Sequence, residues 1–90
     1  MQNEPTNSDR ADWAESALDT FGQDTYCGRL FTDEVAGSAG VVDSDAYTMV
    51  QDLMSNLMHV ARRYDWDAAE MVRRATSMFD QEVAEEGEAA

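Results

Sequence analysis

Between Asp45 and Val83 the apolar residues recur at spacings of three and four, and alternation with period two fails throughout. That pattern predicts helices and rejects strands. On a helical wheel Ala46, Val50, Leu53, Leu57, Val60, Ala61 and Tyr64 fall together, with Tyr47, Met54 and Met58 widening one flank and Met49 on the other. The apolar arc takes up roughly half the circumference, wider than the ~100° stripe of an ordinary surface helix, so this helix is expected to be covered from two sides. Its predicted span is about 45–63, with Asp43 or Ser44 as N-cap and Arg62 and Arg63 placed well against the negative end of the helix dipole. A second helix over about 68–83 opens on Asp67-Ala-Ala-Glu70, a spacing that allows a capping box. Ala68, Val72, Ala75, Phe79 and Val83 make its stripe, with Met71 and Met78 alongside. Glu82 and Glu86 fall back onto that stripe, which puts the end of the packed part near Val83. The short link around Trp66 predicts an antiparallel hairpin with Trp66 plugging its open end.

Upstream, Trp13, Ala14, Ala17, Leu18 and Phe21 share one face of a first helix over about 9–21, capped by Asn7 or Ser8 and stopped by Gly22. This helix is the expected cover for one side of the wide arc. Gly22 to Val42 shows no sustained period; a short extra helix near 25–31 and a loose loop after it are the expectation. Residues 1–7 hold the only proline and read as a disordered start, and 84–90 as an acidic disordered tail. The fold class is therefore all-α: one small helical bundle over 8–83.

Charge changes the picture more than length does. The 90 residues carry nineteen acids against six arginines and no lysine, a formal net charge of −13. Direct binding to nucleic acid or to an anionic membrane needs basic patches and is excluded. What remains is a surface that keeps the chain soluble, suits high salt, or meets a basic partner. No apolar run approaches the ~20 residues of a membrane span, and the first ten residues lack the basic start and apolar core of a signal peptide, so a cytoplasmic location is expected. Cys27 is the single cysteine; it permits no internal disulfide, fits a reducing compartment and reads as a small buried hydrophobe.

The chain holds no hydrolase elbow, phosphate-binding glycine loop, paired-cysteine zinc motif or dinucleotide fingerprint. His59, the only histidine, lines the polar face of the central helix with Asp52, Asn56 and Arg63, where a surface or structural role is expected. No catalytic residue, metal ligand or cofactor is predicted. The acids do form patterns. Asp12, Glu15 and Asp19 stand three and four apart on the first helix, and Asp80, Glu82, Glu85 and Glu86 crowd the end of the last. Carboxylates at such spacing are about 5–6 Å apart, near the ~7 Å between backbone phosphates of DNA. These seven residues are the candidate partner-binding set.

The stretch DLMSNLMHVARRYDWDAAEMVRRATSMFDQEV resembles the C-terminal helices of MazG-like nucleotide pyrophosphohydrolases, in which an acidic helix and an apolar stretch are followed by a short turn with a capping acid and a helix ending in an aromatic. That family is all-α, oligomeric and Mg²⁺-dependent. The resemblance implies a metal set of Asp12, Glu15 and Asp52, but its fourth position holds Met49, which cannot bind a hard cation. The same stretch also resembles small acidic helical proteins of phages and plasmids. The leading expectation is a non-enzymatic interaction protein, of the kind a mobile element uses to inhibit a host factor by mimicking nucleic-acid charge, with a basic, nucleic-acid-binding protein as partner. The alternatives are a pyrophosphohydrolase or its inactive relative, and a plain dimerisation module. A dimer is favoured by the under-covered flanks Met49, Met54, Met58, Met71 and Met78.

Overall fold

The computed structural model describes residues 4–89, with side chains as far as Glu86. Among these residues there are four helices and no strand: α1 (Asn7–Thr25), α2 (Phe31–Val35), α3 (Asp45–Arg63) and α4 (Ala68–Ala89). The all-α expectation holds.

α1 begins earlier than its apolar pattern suggests because the cap is Thr6. The Thr6 hydroxyl accepts from the Asp9 amide at 3.1 Å and the Asp9 carboxylate accepts from the Thr6 amide at 3.0 Å. That reciprocal pair is a capping box, and it draws Asn7 and Ser8 inside the helix. At the other end the helix runs through Gly22, the expected stop, to Thr25. Gly22 is buried, and its role is close approach: a Cβ there would meet the Arg29 carbonyl oxygen and would lie 2.7 Å from the tip of Met49. The chain turns only after Tyr26, through Cys27 (φ 56°) and Gly28 (φ 83°). Cys27 is thus an exposed turn residue, in the left-handed region that L-residues seldom enter, and not the buried hydrophobe expected.

The short helix expected near 25–31 lies further on, at Phe31–Val35. Asp19 Oδ1 accepts from the Thr32 amide at 2.9 Å; this carboxylate, supplied from α1, satisfies an amide that the first turn of α2 leaves without a partner. Phe31 then buries itself against α1 and α3.

α3 spans the predicted residues, with the Ser44 hydroxyl accepting from the Tyr47 amide at 3.2 Å. Its core-facing residue is Met49, fully buried among Leu18, Phe31 and Ala46. The wheel put Met49 at the edge of the arc; it becomes the centre because α1 and α2 approach from that edge. Half of the capping box predicted for α4 forms. Asp67 Oδ1 accepts from the Glu70 amide at 3.0 Å, but the Glu70 carboxylate turns to Arg73 and Arg74, since two guanidinium groups one turn along outbid a single amide. α4 stays helical six residues past Val83, to Ala89.

The hairpin is antiparallel only in its connection; its arms stand apart. In a closed hairpin turning at 64–67, Met49 would face Glu82 across the usual 8–10 Å. Here Met49 lies against Gly22 of α1, while Glu82 is tied to Arg10 of α1 at 3.1 Å. Twelve residues of helix separate Arg10 from Gly22, about 18 Å. α1 is therefore a strut between the two arms. Met49 to Arg63 and Ala68 to Glu82 each span about 21 Å, so α1, α3 and α4 form an open triangle that touches at three corners. Two global quantities agree. The radius of gyration is 14.9 Å, where a compact chain of this length has about 12 Å. The accessible surface is 7092 Å² for 10.0 kDa, where a compact monomer exposes about 5,200 Å².

Candidate interaction surface

An open triangle leaves the inner faces of its sides bare. Beyond the α1–α2–α3 corner, Ala61 is the only buried hydrophobic residue among those described. Leu57 is 58% exposed and Phe79 62%, and Met54, Val60, Tyr64, Met71 and Met78 are exposed as well. α4 buries no described residue. Trp13, expected to face inward from α1, is 62% exposed, because α1 meets α3 only through its C-terminal half. Trp66, expected to plug the hairpin, is also exposed and leans on Tyr64 with ring centroids 5.8 Å apart; with the arms apart there is no mouth for it to close. At the opposite end of α3, Phe31, Val35, Val41, Val42, Ala46 and Tyr47 line a shallow apolar cleft that runs into Val50.

The geometry divides the seven acids expected to bind a partner. Asp19 is committed to the fold: it accepts from both the amide and the hydroxyl of Thr32. Glu82 is half-buried in its pair with Arg10, and its carbonyl oxygen accepts from Asn7 Nδ2 at 3.1 Å. Glu86 accepts from the same amide group at 3.0 Å, and Glu85 from Gln81 at 3.3 Å. Asp12 and Asp80 are exposed and Glu15 is half-exposed. The acidic stretches of α1 and α4, joined by the contact of Asn7 with Glu82 75 positions on, are thus brought to one corner, with Arg10 set between them.

Nothing in the arrangement assembles a metal set. Among the described residues no three Asp, Glu, His or Cys side chains come together at metal-binding distance. The Asp52 carboxylate accepts a hydrogen bond from the Tyr26 hydroxyl. That bond, with partial burial and the charges of Asp52 and Asp45, pushes the Tyr26 phenol up to about 12. His59 is exposed on the outer face of α3.

Sequence reasoning missed the residues that hold the corners. Arg29 reaches Glu34 of α2 at 2.6 Å and Asp45 of α3 at 2.7 Å; those carboxylates, Glu34 above all, raise its already high pKa. Arg10 and Asn7 do the same work between α1 and α4. One signal was available. Four of the six arginines cluster at 62–74, and only Arg10 and Arg29 stand in acid-rich sequence. A scan of known protein families and searches of curated proteins and of solved structures find no match to this chain.

Proposed function

We propose that this chain works without catalysis, as an interaction protein whose binding surface is the apolar inner face of α3 and α4. The observation that carries this is the open hairpin. α1 holds the arms about 18 Å apart at their far ends, and side chains that a closed hairpin would bury stay in water. An exposed apolar face of this size on a monomer marks an interaction site. The acidic remainder of the surface keeps so apolar a chain soluble and repels acidic competitors.

Spin labels at Gln51 and Asp80, in a Cys27→Ser background diluted with unlabelled chain, test the reading. These positions face each other in a closed hairpin, at about 10 Å between helix axes, and stand roughly 18 Å apart in the open one. A short distance would mean that the chain buries its own apolar faces, and the reading would fail.

A second reading is favoured by the joined acidic corner, where Asp12, Glu15, Asp80 and Glu85 could meet a basic protein of the nucleic-acid-binding kind, as an inhibitor carried by a mobile element would. Binding of an oligoarginine peptide to that corner should weaken steeply with added salt and be lost in Asp12→Asn/Asp80→Asn. A salt-independent response removes this reading.

A further inference from the structure

The open hairpin needs an occupant, and charge identifies its chemistry. Ala46 to Phe79 contains four acids (Asp52, Asp65, Asp67, Glu70) and four arginines (Arg62, Arg63, Arg73, Arg74). The stretch that carries the bare apolar faces is therefore neutral, and the whole of the −13 lies outside it. A basic partner would be drawn to the acidic corner. A second copy of the same stretch meets this face with no net repulsion between the surfaces that touch.

Area agrees. The chain exposes 7092 Å², an excess of about 1,900 Å² over a compact monomer. Standard interfaces take ≈ 800 Å² from each partner, and obligate homodimers take more. The apolar positions Val50, Leu53, Leu57, Val60 and Tyr64 on α3 are spaced three, four, three and four, the seam of helices that interlock side chain into hole.

α4 also has an unexplained polarity. Arg73 and Arg74 lie near its N-terminus, while Glu82, Glu85 and Glu86 sit toward its C-terminal end, where the helix dipole disfavours negative charge. Antiparallel pairing of α4 with its copy resolves this, because the arginine end of each helix then stands beside the acidic end of the other.

Resting on the reading of the open face as a docking surface, we infer that the occupant is the α4 helix of a second copy, laid antiparallel to α4 across the exposed apolar faces and reciprocated about a two-fold axis.

Sedimentation of the full chain across a concentration series tests this. The expected result is a dimer that tightens as salt rises, because screening relieves repulsion between two −13 chains; a heterologous basic partner gives the opposite trend. Phe79→Asp, at an exposed position, should leave the helical circular dichroism of the monomer intact and weaken dimerisation by roughly tenfold or more. Arg73→Glu/Arg74→Glu alone should dissociate the dimer, and mixing it with Asp80→Arg/Glu85→Arg should restore a heterodimer. A chain that stays monomeric at all concentrations and salts, or a dimer indifferent to both Phe79→Asp and the charge exchange, overturns the inference. The label distance separates this failure from failure of the docking reading. A monomer with open arms loses the second copy but keeps the docking surface, whereas closed arms lose both.

Discussion

Met49→Ala is the substitution that most directly tests the division of this chain into a packed corner and two bare arms. Met49 is fully buried, and Leu18, Phe31 and Ala46 complete its cluster. Truncation removes three heavy atoms beyond Cβ, at about 0.8 kcal/mol per methylene equivalent, or roughly 2.4 kcal/mol of lost transfer energy. A void of roughly 60 Å³ at about 24 cal/mol per Å³ adds about 1.5 kcal/mol. The expected loss is thus about 3–4 kcal/mol, much of the total for a chain whose stability by length is about 5–13 kcal/mol. Leu57→Ala is the control. It removes a similar volume from α3 only eight residues on, yet Leu57 is 58% exposed, so its cost to the monomer is expected below about 1 kcal/mol. The assay is urea unfolding followed by circular dichroism, at several protein concentrations. The Met49→Ala loss should be independent of concentration, while on the dimer proposal any Leu57→Ala loss should grow with it, Leu57 being exposed in the monomer. If Leu57→Ala costs the isolated monomer as much as Met49→Ala, or if Met49→Ala costs less than about 1 kcal/mol, the partition is wrong.

Gly22→Ala should cost about 2 kcal/mol or more, despite a gain of about 1 kcal/mol in helix propensity, because the new methyl meets the Arg29 carbonyl oxygen; thermal unfolding reads it, and a stabilised variant would remove the close-approach role. Asp19→Ala should lose about 1 kcal/mol through the unpaired Thr32 amide, with hydrogen exchange speeding in α2 alone; unchanged α2 protection would return Asp19 to the candidate partner-binding acids. The Tyr26 phenol is raised to about 12 in the fold against about 10 unfolded. The raised value means that its contribution is whole below pH 10 and is lost as pH climbs to about 12. Tyr26→Phe should flatten that alkaline decline in the unfolding midpoint, and an identical decline would show that other groups cause it.

The central helix was legible to the residue because its signals agreed: a cap at Ser44, a sustained three-and-four spacing and arginines at the end. The hairpin connection was legible for the same reason. What the sequence did not disclose was which part of a half-circle of apolar surface would be covered. Met49 and Leu57 differ little in hydrophobicity, and only the approach of α1 and α2 from one side separates them. Gly22 was misread because a glycine at a helix end and a glycine under a crossing carbonyl look identical in one dimension. α2 depends on Asp19, thirteen residues away, which local periodicity cannot register. The seven acids were visible as stripes, but their division into structural and free members was set by Thr32, Asn7 and Arg10, whose partners are all distant in sequence.

The three corners differ in strength. One is an apolar cluster and one is a covalent turn, but the third, where Arg10 and Asn7 hold Glu82 and Glu86, is a solvent-facing latch of a kind worth only about 0–1 kcal/mol. α4 is consequently held to the rest of the chain by polar contacts with α1 and by the turn into α3, with no buried residue of its own among those described. Loosening that corner takes more than one change, since Asn7 holds the Glu82 carbonyl oxygen and the Glu86 carboxylate independently of the Arg10–Glu82 pair.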